Sequence, residues 1–387
     1  MIEIKKISDV FEVGSSKRVF KREWTTEGVP FYRAREVVKL SRDGYVDNEL
    51  FISEEMFKEY SDKYGVPQPG DLLITGVGTL GICYQVKNHD RFYFKDGNII
   101  WLKKKKEVSS DYIEYCYKSS FVKRQIESTA DAAVVGTYTI TNARETKIPL
   151  PPLETQKKIA AILDEVDKLR QLDKQLIEKY DELTQSLFLD MFGEKGKYKQ
   201  VIIEDLVTKI TDGTHHTPKY TDSGVPFLRV TDITKSNDSK KFISRDEHEQ
   251  LIKRCNPEKG DVLYTKNGTI GIAKLVDWDY EFSIFVSLCL LKPRHDLIHN
   301  KFLESFLNTP FALKQAMRHS KTGTITNLHL TEIKKIKIPL PSMEIQLEFV
   351  NKVQAIDAQK ALAQKSLEKS EELFNSLLQK AFKGELV

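Results

Sequence analysis

Two short glycine-rich stretches carry polar side chains that are suited to recognition chemistry. TGVGTLG runs from Thr75 to Gly81 and TKNGTIG from Thr265 to Gly271, and each follows a segment with strand composition. Glycine allows the backbone to approach another surface closely, and Lys266 and Asn267 add hydrogen-bonding groups in the second copy only. The pattern favours two binding loops with a shared frame and different tips. A tight structural turn is the alternative.

A second pair of polar stretches is GSSKRVFKRE near the amino terminus and TDGTHHTPKY in the middle of the chain. Their side chains suited to hydrogen bonds and to phosphate contacts are Lys17, Arg18, Lys21, Arg22, Asp212, His215, His216, Thr217 and Lys219. The alternatives are a solvated basic loop in the first stretch and an exposed turn with a local Asx hydrogen bond in the second. Metal binding is disfavoured, because adjacent histidines rarely converge alone on one ion.

The composition bounds the class of protein. A chain of 387 residues suits two domains of ordinary size, and 40% hydrophobic with 30% charged residues indicates a soluble globular protein. We recognise no signal peptide and no apolar run near the ~18 residues of a membrane helix, so we expect no membrane partner. The 4 cysteines are isolated, which fits a reducing cytoplasm. A net charge of +4 permits nucleic acid as a partner without requiring it.

The chain repeats itself. KIPLPPLETQ at Lys147 returns as KIPLPSMEIQ at Lys337, GVPFYRAREV as GVPFLRVTDI, and GDLLITGVGTLGI as GDVLYTKNGTIGI. A period near 190 residues is too long for a solenoid and indicates two tandem modules. Each module begins with a head in which FYRAREVV, DLLIT and NIIWLK, or FLRVTDI, DVLYT and FSIFVSLCLLK, read as strands. With the short helices that follow, the predicted fold class of each head is α/β or α+β.

Each head ends in a proline-containing strap, which we predict to be extended because proline disfavours a helix interior. A long helix follows each strap, and its apolar residues recur at a mean of about 3.5 residues, a coiled-coil period. The residues on the two predicted seams are Ile162, Val166, Leu169, Leu176, Leu183, Val353, Ile356, Leu367, Phe374 and Leu377. We expect the two helices to pair antiparallel, because pairing buries both seams.

These features predict a boundary for each part. Head 1 covers 1–151, the first long helix 152–193, head 2 covers 194–341 and the second long helix 342–387. The order of head, IPLPPLETQ strap, helix ending LFLDMFG, second head, IPLPSMEIQ strap and helix ending LLQKAFKGEL resembles the specificity (S) subunits of type I restriction-modification systems, the HsdS family. The resemblance covers the whole chain, and its strength lies in the ordered set of motifs rather than in any one motif.

The resemblance implies that the heads are target-recognition domains, each reading half of a bipartite, asymmetric target in double-stranded DNA. The paired helices would dock two modification (methyltransferase) subunits, which would bind S-adenosylmethionine, and restriction and translocation subunits would join in some systems. This chain would bind no cofactor and no metal and would catalyse nothing. The residues that would contact DNA are Lys17, Arg18, Lys21, Arg22, Thr75, Val77, Thr79, Tyr138, Asn142, His215, His216, Thr217, Lys219, Lys266, Asn267, Thr269, Lys321, Thr322 and Asn327.

The residues themselves disfavour catalysis. No Asn/Asp-Pro-Pro-aromatic pocket of an adenine methyltransferase and no P-loop occurs, and the GVG at Gly76 becomes KNG in the second copy. Three alternatives stay open: a complete methyltransferase or nuclease, a coiled-coil scaffold whose heads read no DNA, and a specificity subunit of a methylation-only or phage-defence system.

Overall fold

The structure of the chain is a computed structural model, which describes residues 3–130, 136–194, 196–235, 241–317 and 327–386. The chain forms two compact units. Unit 1 comprises Met1–Leu172 and Ser366–Val387, and unit 2 comprises Asp173–Lys365. Each unit therefore contains one head together with a part of each long helix.

The head of unit 1 is built from short strands and helices. Its strands are β1 (Ile4–Lys6), β2 (Phe11–Gly14), β3 (Val29–Tyr32), β4 (Phe51–Ile52), β5 (Leu72–Thr75), β6 (Cys83–Gln85), β7 (Tyr93–Phe94), β8 (Ile99–Lys104) and β9 (Lys147–Pro149). Its helices are α1 (Ala34–Asp43), α2 (Glu54–Tyr64), α3 (Ser110–Lys118), α4 (Ser120–Ala130) and α5 (Ile140–Glu145), with 3-10 turns at Ile7–Asp9 and Lys21–Glu23. The first long helix is α6 (Leu153–Phe192).

The central sheet of head 1 is antiparallel, in the order β2-β8-β5-β6, and a smaller sheet has the order β4-β3-β7. Successive side chains of a strand point to opposite faces, and here both faces are covered. Leu72 and Ile74 lie in one hydrophobic core with α3, whereas Leu73 and Trp101 lie in another beside α1. Burial on both faces explains why these strands read as continuous apolar runs.

Unit 2 repeats this order of elements. Its strands are β10 (Lys199–Ile202), β11 (Val207–Asp212), β12 (Tyr220–Thr221), β13 (Val225–Leu228), β14 (Phe242–Ile243), β15 (Val262–Thr265), β16 (Ala273–Leu275), β17 (Ser283–Ile284), β18 (Leu288–Pro293) and β19 (Lys337–Leu340). Its helices are α7 (Ile203–Leu206), α8 (Val230–Lys235), α9 (Arg245–Ile252), α10 (Asn300–Leu307), α11 (Pro310–Met317), α12 (Leu330–Lys334) and the long α13 (Met343–Lys383). The sheet β11-β18-β15-β16 corresponds to β2-β8-β5-β6 of head 1.

The mixed α/β class and the tandem repeat are therefore confirmed, and three strand predictions need correction. FYRAREVV is strand only through Tyr32 and then becomes α1, because the backbone N–H of Arg33 donates to Glu36 Oε2 (2.9 Å) as in a capping box. FLRVTDI divides at the same place, where Arg229 N–H donates to Asp232 Oδ2 (2.8 Å). FSIFVSLCLLK contains the two strands β17 and β18 rather than one.

The straps are extended, as predicted, and each is held by two glutamines. In unit 1, β9 pairs antiparallel with β1, and the side chain of Gln125 accepts from Lys147 N–H (2.9 Å) and donates to Lys147 C=O (3.0 Å). The buried Gln156 accepts from Ser109 N–H (3.1 Å) and donates to Pro151 C=O (2.8 Å). Both glutamines therefore join the strap and the start of α6 to the head through backbone groups.

Unit 2 contains the same arrangement, with β19 paired to β10. Gln315 exchanges two hydrogen bonds with the backbone of Lys337 (2.9 Å each). Gln346 accepts from His299 N–H (2.8 Å) and donates to Leu297 C=O (3.1 Å) and Pro341 C=O (3.1 Å). The repeated glutamine of the IPLP motif thus has a structural role in both modules.

The two long helices pack against each other in antiparallel directions. In unit 1, residues near the start of α6 share a core with residues near the end of α13, and in unit 2 residues near the end of α6 share a core with residues near the start of α13. These residues are Ile159, Leu163, Val166, Phe374, Leu378 and Ala381 in unit 1 and Phe188, Phe192, Phe349, Val350 and Val353 in unit 2.

On α13 the predicted seam residues are buried or half-buried, whereas most of the predicted seam of α6 is wrong. Val353, Leu367 and Phe374 are buried, and Ile356 and Leu377 are half-buried. On α6, Val166 is buried, but the other predicted seam residues are exposed. Their exposed fractions are Ile162 38%, Leu169 52%, Leu176 43% and Leu183 49%.

The physical reason for this error is that α6 carries two apolar stripes at helical spacing. The inner stripe, Ile159, Leu163 and Val166, enters the core of unit 1. It continues at Arg170, whose guanidinium lies over the ring of Phe374, 4.3 Å from its centroid. The outer stripe is richer in leucine. The spacing of its leucines therefore predicted that the wrong face of α6 is buried. We call this outer stripe, Ile162, Leu169, Leu172, Leu176 and Leu183, the leucine stripe.

Candidate nucleic-acid interface

The two glycine loops have the same internal hydrogen bonding. In head 1, Gly81 N–H donates to Thr75 C=O (2.9 Å) and Ile82 N–H donates to Thr75 Oγ1 (3.0 Å). In head 2, Gly271 N–H donates to Thr265 C=O (3.2 Å) and Ile272 N–H donates to Thr265 Oγ1 (2.9 Å). Both threonines are fully buried. The prediction that Thr75 contacts DNA is therefore wrong, because its hydroxyl closes the loop from within.

The loop tips are the exposed part. Thr79 and Thr269 are exposed, and Val77 and Asn267 are half-buried beside them. Gly78 and Gly268 have φ +71° and +75°, with no atom within 4 Å of a Cβ built on either. This left-handed conformation favours glycine, so the glycines turn the chain at an open surface. Both tips remain candidates for DNA contact.

A returning segment packs beside each loop. Tyr138 N–H donates to Gly76 C=O (2.9 Å), and Leu328 N–H donates to Lys266 C=O (2.8 Å). Tyr138 itself is 1% exposed, and its hydroxyl lies 2.7 Å from Thr146 Oγ1. The prediction that Tyr138 contacts DNA is therefore wrong, since the ring belongs to the core of head 1.

Two asparagines of these segments remain accessible. Asn142 is half-buried at the start of α5, and Asn327 is exposed and forms an isolated antiparallel bridge with Asn267. Asn267 Oδ1 is buried and has no hydrogen-bond partner among the described residues. The other two predicted contacts on this segment, Lys321 and Thr322, lie outside the described residues.

Head 2 contains an ionic cluster centred on Asp212. This carboxylate is 4% exposed at the end of β11. Its Oδ2 lies 3.3 Å from Lys266 Nζ and 3.2 Å from His215 Nε2, and its Oδ1 forms an ion pair with Arg254. Burial raises the pKa of Asp212, but hydrogen bonds from His215 and Lys266 outweigh that effect, so the pKa lies below its usual value.

The side chain of Lys266 is therefore not available at the surface to contact DNA bases. Its side chain is 6% exposed and is directed to Asp212, so the prediction that it reads base edges is wrong.

Arg254, in contrast, is a residue that the sequence analysis missed. Its side chain is 54% exposed although it is paired to the buried carboxylate. Arg254 follows α9 by two residues and lies far from TDGTHHTPKY in sequence, so no spacing pattern associated it with that loop.

The remaining side chains of the second loop lie at the surface. His215, His216, Thr217 and Lys219 are exposed, while Thr214 and Pro218 are buried and shape the turn. Thr214 Oγ1 lies 2.8 Å from His216 Nδ1. The exposed positions therefore remain candidates for DNA contact, and the local hydrogen bonds show that the loop also has the structure of a turn.

The basic residues of head 1 occupy the corresponding place after β2. Lys17, Arg18, Lys21 and Arg22 are all exposed. Arg18 Nε donates to Asp96 Oδ2 (2.9 Å), and the guanidinium of Arg22 lies over the ring of Phe20, 5.3 Å from its centroid. Arg18 and Arg22 thus interact with neighbouring side chains, yet all four cations remain accessible to a phosphate.

The architecture, two heads with equivalent loops and two long helices, matches a known family. The family model described as "Type I restriction modification DNA specificity domain" matches twice, at residues 2–180 and 195–372. The chain belongs to this family. The two matches fall on the two modules of the internal repeat, so both heads are related to the same domain.

Curated relatives carry the corresponding names. A type I restriction enzyme specificity subunit of Haemophilus influenzae is 32% identical over 171 residues, covering 44% of this chain and 41% of the relative. The EcoBI specificity subunit of Escherichia coli is 26% identical and covers 63% of this chain and 59% of the relative. The chain thus spans about half the length of these two relatives. The MjaIX specificity subunit of Methanocaldococcus jannaschii is 21% identical and covers 99% and 93%.

Solved structures show the same fold over nearly the whole chain. The S subunit of a type I restriction-modification system from M. genitalium aligns with TM-score 0.50 and 18% identity, covering 99% of this chain and 96% of that chain. A chain from a structure of type I restriction-modification complex assembly aligns with TM-score 0.56 and 18% identity, covering 99% and 98%. Within the described residues, no helix is long and apolar enough to cross a membrane.

Proposed function

We propose that this chain is the non-catalytic, sequence-specific DNA-recognition subunit of a type I restriction-modification complex. Each head would read one half of a bipartite, asymmetric duplex target. The observation that carries the proposal is the pair of glycine loops. Their frames are identical, from the buried Thr75 and Thr265 to the closing glycines, while their tips differ in sequence. The tips differ at Val77 and Asn267, which are half-buried, and two readers of unlike half-sites need this combination of a common frame and a different tip residue.

Base recognition would use the exposed tips. Asn267 is the best candidate, because it is the tip residue that differs from head 1, where Val77 stands, and the N–H groups of an asparagine amide can donate to a purine N7 in the major groove. The accessible cations of both heads would contact phosphates, which contribute affinity without sequence information.

The leucine stripe supports the second part of the proposal, the docking of modification subunits. Large apolar side chains at helical spacing on α6 are solvent-exposed, and such rows commonly mark protein–protein contacts. We propose that two modification subunits cover this stripe, that they bind S-adenosylmethionine, and that the complex acts in the cytoplasm with or without restriction subunits.

The experiment is a binding assay on mixed-sequence duplex DNA at several salt concentrations, using the purified chain alone and with its modification subunits. We expect binding that weakens steeply with salt and methyl-donor binding only when the modification subunits are present. Methyl-donor binding by the chain alone would favour the enzyme alternative. Absence of DNA binding in both forms at low salt would favour the scaffold alternative and contradict the proposal.

A further inference from the structure

Asp212 connects three basic side chains from three places in head 2. Lys266 comes from the glycine loop, His215 from the loop after β11 and Arg254 from the segment after α9. Asp212 and Lys266 are both buried, with side chains 6% exposed, whereas the side chains of His215 and Arg254 are 63% and 54% exposed. One end of the cluster is therefore internal, and the other end faces solvent.

The charges of this cluster do not cancel. Lys266 alone neutralises the buried carboxylate, so the guanidinium of Arg254 is an excess positive charge at the surface. It is also fixed in place, because Arg254 pairs with Asp212 Oδ1 and its Nη1 donates to Gly213 C=O (3.4 Å). The carboxylate of Glu247 also lies near this loop, but it faces His216 (3.9 Å). A planar guanidinium held in a set orientation is well suited to a phosphate.

We propose that Asp212 holds Arg254 and His215 as a clamp for one backbone phosphate of the DNA bound to head 2. This inference rests on the proposed function. Asp212 is then a positioning residue, and Arg254 is a direct contact that acts beside the base-reading tip at Asn267. Lys266 has no contact with DNA and serves to balance the buried charge.

Among the described residues of head 1 there is no such clamp, which makes the feature specific to one half of the target. The strand registers place Ser15, after Gly14, where head 2 has Asp212, and Gly76 where head 2 has Lys266. Ser15 Oγ donates to Ile99 C=O (2.8 Å) instead of holding a cation. The shared strand register therefore carries different residues at these two positions in the two heads.

The first test removes the contact itself. In Arg254→Gln, bound to a mixed-sequence duplex together with its modification subunits, we expect affinity to fall about fivefold at 0.15 M salt and the salt slope to decrease by about 1. The matched control is Lys253→Gln, which removes the same charge from the neighbouring exposed residue. An equal loss in both variants, or no loss in Arg254→Gln, would overturn the clamp.

The second test separates positioning from net charge. The double variant Asp212→Ser/Lys266→Gly installs the residues of head 1, leaves the net charge unchanged and removes no exposed cation. If Asp212 positions Arg254, this variant loses about as much affinity and salt slope as Arg254→Gln. Wild-type affinity in the folded double variant would overturn the inference.

Should the double variant not fold, the DNA affinity of Arg254→Gln still decides. If the unmodified chain fails to bind DNA, the proposed function itself is wrong, whereas binding that is insensitive to these changes contradicts only the clamp.

Discussion

The two heads share one frame but differ in what lies beneath their loops. Head 2 buries the charged pair Asp212 and Lys266, where head 1 has Ser15 and Gly76. Head 2 also buries His248, whose Nδ1 lies 2.9 Å from Ser283 Oγ, and the corresponding positions of head 1 are the aromatic residues Phe57 and Tyr93. The threonines that close the glycine loops, Thr75 and Thr265, and the strap glutamines Gln156 and Gln346 are, in contrast, the same in both heads.

This difference shows which positions the fold constrains. The buried threonines of the glycine loops and the glutamines of the straps satisfy backbone groups, and a buried backbone group without a partner is costly. The positions beneath the loop tips vary instead: head 2 has the charged pair Asp212 and Lys266, and head 1 has the small residues Ser15 and Gly76. A recognition module can thus change its exposed chemistry without changing its backbone.

Among the changes that compare the two heads, the largest expected effect on stability is that of Asp212→Asn. This change leaves the buried ammonium of Lys266 without a counter-charge, and we expect head 2 to lose about 3 kcal/mol of stability. The matched change in head 1, Ser15→Ala, removes neutral hydrogen bonds and should cost about 1 kcal/mol. Hydrogen exchange, which reports on each head separately, is the measurement. Equal losses in the two heads would contradict the account.

The pH dependence of that effect follows from the lowered pKa of Asp212. A carboxyl group with a folded-state pKa below its ordinary value of 3.8 stabilises the fold above that value. We therefore expect the difference between the unmodified chain and Asp212→Asn to persist above about pH 4 and to disappear as the pH falls further. A difference that grows on acidification would show that the carboxylate is not the stabilising form.

A smaller effect is expected from Gly76→Ala in head 1. A Cβ at this position would lie 2.6 Å from Tyr138 C=O, and a backbone atom cannot move aside easily. We expect a loss of about 2 kcal/mol. The control is Gly78→Ala, which meets open space but has φ +71° and should cost about 1 kcal/mol. Thermal unfolding of both variants makes the comparison, and a smaller loss in Gly76→Ala would contradict the close approach.

His248 should give head 2 a pH response that head 1 lacks. Burial lowers the pKa of His248 below its ordinary value of 6.5, so the neutral ring stabilises head 2 above about pH 6.5 and this stability is lost as the pH falls. His248→Phe copies Phe57 of head 1 and should weaken the pH dependence of head 2 between pH 7.5 and 5.5. Thermal unfolding at both pH values is the test, and an unchanged dependence would assign the response to other groups.

The smallest effect on stability is expected from a substitution in the long helices, which contribute residues to both units. Leu176 is 43% exposed, so Leu176→Asp should change the stability of the chain by no more than about 0.5 kcal/mol while weakening assembly with the modification subunits. Leu163→Asp, in the core of unit 1, should instead unfold that core. Unchanged assembly of Leu176→Asp would remove the leucine stripe from the docking surface.

The internal repeat of the sequence predicted the two modules. The spacing and type of its residues predicted the sheets, the straps and the long helices. The sequence did not identify which of two apolar stripes on α6 is buried, because both have helical spacing and the choice depends on the core of the head. It also placed Lys266 and Tyr138 at the surface, since strand register brings Asp212 to Lys266 and helix α5 brings Thr146 to Tyr138. Arg254 was missed for the same reason, as it reaches the loop only through the fold.

The central claim is that each head reads one half of the target, and sequencing of methylated bases in cells tests it most directly. The modification subunits would be expressed with the unmodified chain, with Asn267→Ala, or with Thr79→Ala at the other loop tip. Loss of a base contact is worth about 1–3 kcal/mol of discrimination. We therefore predict that Asn267→Ala relaxes the base specificity at positions in one half of the target only. Thr79→Ala should relax the base specificity in the other half only. Changes that fall in the same half, or spread over both halves in either variant, would contradict the assignment of one half-site to each head.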